Sequence, residues 1–533
     1  MSELPEAVEK YFQGTATDEQ ALDIYLDSTI REFLHGGDPK IHAAIVHSRD
    51  KIRDIFGKHK LDDTRDVQDY IHDLQANVLA HAFRAASPRM IGHMTASALP
   101  YFQRGLARLI CATNNNLANV ENSTTLTLLE RETLGLLHSL LFHNESLDYP
   151  EIMHAPDLCL GVFTSGGTVA NLTAMWVARN NALGPRPDAE PPLAGVQTAG
   201  LARALIQRGY EGACIIGSER MHYSFKKSAD ILGLGTEGLV LIPTDENYRV
   251  RTDLMEQKIM ELKESNIMVI AVVGVAGTTE TGSIDDLNAV ADLAQTHGIH
   301  FHVDAAWGGP MVFAPKYSHL LAGIERGDSI TIDGHKQLYT PNAVGMLLFR
   351  NPEAAANIRN TANYIVRESS PDLGRYTLEG SRPATSLHVH ASLSLLGPQG
   401  IGAIVERSCD LTKKMAKYLS QHPSRCFEVL HQPMSNLLLY RFVPKFLHKR
   451  RDAGELTGED QAVISKLTRE IQERQSRSGN AGFVSRTSLF YHAAQGPVDA
   501  FRVVIANPLT VWRDIVECLE EQLVMGQELM LEM

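Results

Sequence analysis

Apolar residues recur at helical spacing through the first part of the chain, over Ala7–Phe12, Asp18–Leu34 and Val67–Arg84, with polar interruptions between them. SPRMIGHM (Ser87–Met94) breaks the pattern, which resumes over Leu99–Thr113 and Leu126–His143. From Leu158 to Phe349 the texture changes. Short apolar or β-branched runs occur at Cys159–Phe163, Ala213–Ile216, Leu239–Ile242, Met268–Gly274, His300–Val303, Ser329–Ile332 and Ala343–Phe349. They alternate with helical stretches over Val169–Asn181, Tyr223–Leu232, Asp253–Ser265 and Ile284–His297. Strands separated by helices predict βαβ units, and so an α/β fold with a mostly parallel sheet flanked by helices. The Pro-rich interruption Gly184–Gly195 reads as an exposed connection. Beyond residue 385 a helix is followed by strand-like Glu428–Leu430 and Leu437–Phe442, a charged helix Gly458–Ser476, strand-like Phe501–Ile505 and an amphipathic helix Leu509–Leu531. These shifts predict a helical N-terminal segment (1–100), a large α/β domain (101–385) and a small α+β C-terminal domain (386–533).

Composition narrows the function classes. A chain of 533 residues that is 44% hydrophobic and 21% charged can bury a large core, which excludes a disordered or fibrous chain. Its formal charge of −13 disfavours a general nucleic-acid binder, which needs a clustered basic face. The one basic run, Lys445–Arg451, lies in a polar region and reads as a solvated loop. Six scattered cysteines without a CxxC pair read as buried thiols of a reducing compartment. The acidic start MSELPEAVEKYF shows no secretory signal, and the longest apolar run, Ile267–Ala276, is too short to span a bilayer. The expectation is a cytoplasmic protein without a membrane or nucleic-acid partner.

Three motifs carry candidate chemistry. DGHK (Asp333–Lys336) follows the apolar run Ser329–Ile332, and an amine at such a strand exit must be paired or chemically used. Burial lowers an amine's pKa and makes it nucleophilic, as a Schiff-base lysine requires, although a surface lysine fits DGHK alone equally well. HVDAAWGG (His302–Gly309) ends a second buried run at Asp304, an acid that needs a cation, a metal or a capping role. A pyridinium nitrogen would answer that need, since an acid beside it strengthens the ring as an electron sink. His300, His302 and Asp304 alternate along one strand and so face one side, which leaves a metal-dependent hydrolase open as a reading from another class. FTSGGTVAN (Phe163–Asn171) brings a strand through Gly166, Gly167 and Thr168 into a helix, where backbone N–H groups and the helix dipole favour phosphate. The sequence Gly233-Leu-Gly-Thr-Glu-Gly238 matches GxGxxG but follows a helix and precedes a strand, the reverse of a dinucleotide fingerprint. His222, at a strand-to-helix turn, could stack on a flat cofactor, and Thr278 in VAGTTETG could reach a ring substituent.

Together, the order of phosphate loop, His, Gly-Thr-Thr, HVDAA and HK resembles the group II amino-acid decarboxylases, which depend on pyridoxal 5'-phosphate (PLP). The resemblance runs through most of residues 85–385. It implies PLP fold type I (aspartate aminotransferase-like) and a homodimer formed partly by the N-terminal segment. It also assigns roles by position: Lys336 to the Schiff base, Asp304 to the ring nitrogen, His222 and Ala306 to the two ring faces. Gly167, Thr168 and His335 would hold the phosphate, and Thr278 would lie near the ring oxygen. SPRMIGHM and TNNNLANVE resemble substrate-lining segments and place His93 and Asn116 near the substrate's distal group, while LEGSRPA supplies Arg382 for a carboxylate. NYIVRESSPDLGRY offers Tyr364 as the acid that protonates Cα, with Tyr376 in reserve. Asp333 departs from the family pattern, since several members carry Asn there, and an acid beside a phosphate dianion is unfavourable unless it points away. The stretch from Leu338 to Leu393 resembles the bacterial aspartate 1-decarboxylases, which implies L-aspartate as substrate and β-alanine for pantothenate as product. Glutamate, one methylene longer, is the alternative.

Overall fold

Seven of the apolar runs become strands of one sheet: β1 (Gly161–Thr164), β2 (Gly212–Ser218), β3 (Leu239–Ile242), β4 (Ile267–Val275), β5 (His300–Asp304), β6 (Ser329–Asp333) and β7 (Gly345–Phe349). The computed structural model describes residues 16–35, 56, 65–95, 97–362, 365–367, 369–478 and 482–532. The strand order is β1-β7-β6-β5-β4-β2-β3, and only β7 runs against its neighbours. The continuous apolar texture of β4 and the near-complete burial of β5 follow from this position, because central parallel strands are covered on both faces.

The longer helices are α1 (Ala16–His35), α2 (Val67–Asn77), α3 (Phe102–Thr113), α4 (Thr125–Phe142), α5 (Gly167–Ala182), α6 (Ser224–Ile231), α7 (Thr252–Glu264), α8 (Leu287–His297), α9 (Gly397–Ser420), α10 (Gly458–Arg477) and α11 (Trp512–Glu532). Helix α5 packs across β7, β4 and β6 and shares its core with them through Ala174, Met175 and Val177. The expected helix Ala7–Phe12 lies outside the described residues.

A second, antiparallel sheet orders β8 (Phe427–Val429), β9 (Leu437–Phe442), β10 (Ser485–Tyr491) and β11 (Gly496–Val504) as β10-β11-β9-β8. Strand β10 was not legible in the pattern, because it pairs on one side only and alternates exposed with buried residues. Helix α9 joins the two lobes: Ile401, Val405 and Cys409 lie in the large core, and Met415, Ala416 and Leu419 in the small one. Trp307 packs with Met94, Leu437, Val504 and Ala506 where the lobes meet.

The basic run Lys445–Arg451 is not a loop. It forms a 3-10 turn and the start of helix His448–Ala453, and Arg450 Nη1 pairs with Asp460 Oδ2 at 2.6 Å in the first turn of α10. Five cysteines are buried and Cys111 is exposed, all unpaired. No helix among the described residues is long and apolar enough to cross a membrane.

Candidate active site

The C-terminal ends of β1, β2, β4, β5 and β6 converge on one cavity of about 400 Å³, as expected for an open α/β sheet. After β1, Gly166 takes φ +140°, a conformation that L side chains rarely adopt, and turns the chain into α5. A Cβ added at Gly167 would lie 2.8 Å from Asp333 Oδ2, so this turn has no room for a side chain. Helix α5 begins without a side-chain cap, which leaves its first N–H groups facing the cavity that Gly167 and Thr168 line.

Asp304 ends β5 at 5% exposure. Its Oδ2 accepts from Asn171 Nδ2 at 3.0 Å and its Oδ1 accepts from the Ala306 N–H at 3.2 Å. His222 follows β2, and its Nδ1 accepts from the Ser224 N–H at 3.2 Å. Burial pushes the His222 pKa below the ordinary imidazole value, against the opposing pull of Asp304. At the end of β6, Lys336 Nζ lies 2.9 Å from Asp333 Oδ2, and His335 Nε2 lies 3.7 Å from the same oxygen. Asp333 therefore points toward the Gly167 turn, flanked by the two basic side chains, and its Oδ1 is buried without a hydrogen-bond partner. His335 Nδ1 donates to Val344 O at 2.7 Å, which turns Nε2 to the cavity.

The structure thus brings Gly167, Thr168, His222, Asp304, Ala306, His335 and Lys336 around one cavity. It does not bring in all the expected residues. Thr278 is turned into its own loop, where Oγ1 lies 2.6 Å from Thr281 Oγ1 and accepts from the Ser283 N–H at 3.2 Å. Its neighbour Thr279 lines the cavity instead. Arg382 is buried on another side of β1, with Nη2 at 2.9 Å from the fully buried Glu130 and 3.0 Å from Leu117 O. It lines a separate cavity of about 160 Å³, so its charge is already compensated and turned away from Lys336. Asn116 is engaged in the same packing: Nδ2 donates to Ser381 Oγ, and Oδ1 accepts from the Ala118 and Arg382 N–H groups. Tyr376 is in the core, with its hydroxyl at 3.4 Å from Pro156 O, and burial raises its pKa. Tyr364 lies outside the described residues. His93 is not among the residues lining the cavity; its ring packs against Phe83 and Phe483, and partial burial of the ring and the nearby Arg502 charge lower its pKa.

Arg502, on β11 of the small lobe, was missed. It is 8% exposed, and its guanidinium donates to Thr279 O at 2.8 Å, Gly92 O at 3.1 Å and Ser485 Oγ at 3.3 Å. All these acceptors are neutral. Glu280, whose charge reaches it through space, is bonded to Arg220 and Thr487. Burial pushes the Arg502 pKa down to about 10, which leaves it charged at neutral pH. An arginine among Val and Phe in a strand-like run is a signal of its own, since an unpaired buried charge needs an anion.

The metal reading does not fit this geometry. His302 faces Asn171 and Ser329, His300 faces Ser329, and Asp304 accepts from Asn171 and Ala306. No group of three or more His, Cys, Asp or Glu side chains among the described residues could hold a metal ion.

Residues 56–443 match the pyridoxal-dependent decarboxylase conserved domain. The chain belongs to the pyridoxal-dependent decarboxylases. It is 43% identical over 462 residues to an aspartate 1-decarboxylase of Aliivibrio fischeri, covering 86% of this chain and 82% of that protein. It is 26% identical over 467 residues to the cysteine sulfinic acid decarboxylase of Mus musculus, covering 85% of both chains. The crystal structure of mouse CSAD superposes with a TM-score of 0.81 at 23% identity, over 96% of this chain and 99% of that one, and so shares the fold. The decarboxylase is a PLP-dependent carboxy-lyase of PLP fold type I. The cavity fits its cofactor: the uncapped helix start beside Gly167 suits a phosphate, with the Asp333 carboxylate that points to the same turn offset by Lys336 and His335, Asp304 suits a protonated ring nitrogen, and Lys336 suits a carbonyl.

Two substitutions check this geometry. Gly167→Ala is expected to weaken PLP affinity of the decarboxylase at least about 10-fold in a fluorescence titration, because one misplaced methyl meets Asp333 rather than open space. Arg382→Met should lower the denaturant midpoint by the equivalent of about 3–5 kcal/mol, because Glu130 would be left buried and unpaired. A pure substrate-binding role for Arg382 would leave that midpoint unmoved.

Proposed function

We propose that this decarboxylase removes CO₂ from an acidic L-amino acid, with L-aspartate as substrate and β-alanine, a pantothenate precursor, as product. The observation that carries the acidic-substrate reading is Arg502, a buried cation whose hydrogen-bond acceptors are all neutral, one of them the carbonyl of the cavity-lining Thr279. Aspartate is favoured over glutamate by the 43% identity to an aspartate 1-decarboxylase, since a pocket separates substrates one methylene apart by only about 1–3 kcal/mol.

When bound, the cofactor supplies an electron-accepting ring that stabilises the charge left on Cα as CO₂ departs. The protein's part is placement. Lys336 would be the attachment point for the cofactor's carbonyl carbon. Asp304 holds the proton on the ring nitrogen. His222 and Ala306, which line the cavity, would cover the two faces of the ring, and the Gly166–Thr168 turn would hold the phosphate by its N–H groups and the helix dipole. Arg502 orients a substrate carboxylate, so that the bond to be broken stands across the ring. His93 would lie toward the substrate's distal group. Tyr364 remains the proposed donor of the proton to Cα. The working form proposed is a cytoplasmic homodimer.

The test is a side-by-side assay of CO₂ and amine products from aspartate, glutamate, 2,4-diaminobutyrate and cysteine sulfinate. Aspartate should show the highest kcat/KM, and faster turnover of glutamate would overturn the substrate assignment. Arg502→Gln should lower kcat/KM for the best substrate by about 100-fold or more, because a carboxylate loses its buried partner.

A further inference from the structure

Beneath the cavity floor runs a chain of buried polar groups that the chemistry described above does not use. Asn171 on α5 donates through Nδ2 to Asp304 Oδ2 and to Ser224 Oγ, both at 3.0 Å, and its Oδ1 faces His302 Nε2 at 3.2 Å. His302 Nδ1 lies 2.9 Å from Ser329 Oγ, and the same hydroxyl lies 2.8 Å from His300 Nε2. Asn171, His302 and Ser329 are at most 1% exposed, so water cannot replace a partner that is lost.

The direction of each hydrogen bond follows from the first. A carboxylate only accepts, so Asn171 must present its amide nitrogen to Asp304 and its oxygen to His302. His302 Nε2 must therefore carry a hydrogen. Burial pushes the His302 pKa down to about 3, so the ring is neutral and its Nδ1 accepts from the Ser329 hydroxyl. The Ser329 oxygen then accepts from His300 Nε2. Every hydrogen in the chain points toward Asp304. A flipped Asn171 would set its oxygen against the carboxylate, and the His302 N–H is what opposes that flip, because Ser224 Oγ can donate or accept equally well. The same amide steadies the start of α6, where the Ser224 N–H holds His222.

We propose that Asn171 is a positioning residue for the decarboxylation: it orients Asp304 toward the cofactor's ring nitrogen so that this nitrogen keeps its proton, and His302 locks the Asn171 amide in that orientation. The inference rests on the pairing of Asp304 with the ring nitrogen given under the proposed function.

The experiment loads each holoenzyme with PLP labelled with ¹⁵N in the ring, reads the nitrogen's chemical shift, and measures kcat and KM. Asn171→Leu should move the resonance to the unprotonated position and lower kcat about 10- to 100-fold with KM within about threefold, the effect of one lost hydrogen bond to a charged group. His302→Leu should do the same. His302→Gln, which still offers an N–H to Asn171, should restore both the shift and kcat to within about threefold of wild type. Should Asn171→Leu fail to fold, the two His302 variants decide. A ring nitrogen that stays protonated with kcat within about twofold in Asn171→Leu or His302→Leu would overturn the inference. So would an equal loss in His302→Gln and His302→Leu, which would show a structural role alone. Asp304→Asn separates the two levels: an unprotonated nitrogen there, with protonation kept in Asn171→Leu, defeats only the inference. A nitrogen that stays protonated in both defeats the Asp304 pairing itself.

Discussion

A carboxylate at the end of a buried parallel strand must be met by donors from other parts of the chain, and much of the cavity's architecture answers the presence of Asp304. Burying an isolated charge is unfavourable by far more than a domain's whole stability unless hydrogen bonds and opposite charge compensate it. The compensation comes from Ala306, in the turn that follows the strand, and from Asn171, which helix α5 carries across the sheet. Asn171 reaches Asp304 only because β5 lies centrally between β6 and β4, with α5 packed over β4, β6 and β7. The sheet order, the helix crossing and the cofactor cradle at the start of α5 are thus parts of one arrangement.

The two lobes divide the work. The large lobe carries the acids, the lysine and the phosphate turn, and the small lobe contributes Arg502. The loop between β4 and α8 connects them: Thr279 O accepts from Arg502, and Gly282 packs against Ser435 and Leu437 with no space for a Cβ. Ser435 Oγ also donates to Gly282 O at 2.9 Å. A movement of the small lobe would carry Arg502 with it, so the placement of substrate proposed for Arg502 would depend on how firmly Trp307 and its neighbours hold the junction.

Much of this was legible in the sequence. The runs of the seven-stranded sheet match its strands within a residue or two, because continuous apolar stretches separated by helical periodicity leave few alternatives, and Lys336, Asp304 and the Gly167 turn lie at strand ends where chemistry concentrates. The errors have physical causes. Thr278 and Thr279 are adjacent and chemically identical, and only the loop's own hydrogen bonds, which hold Thr278 Oγ1 against Thr281 and Ser283, separate them. Arg382 could not be separated from Arg502 by local pattern, because the acid that compensates it, Glu130, lies on a helix far away in the chain. The antiparallel sense of β7 is set by pairing, which a hydrophobic run does not encode. Asn171 stood within the recognised Gly-rich motif, yet its partners lie 131 and 133 residues away.

The proposed chemistry requires that Lys336 carry the cofactor within reach of Asp304. Reduction of the holoenzyme with borohydride would fix the cofactor to its lysine, and peptide mapping by mass spectrometry would locate it. The account predicts one modified peptide, that containing Lys336. Modification at Lys226 or Lys227, which sit on α6 near His222, or no fixed cofactor at all, would contradict it.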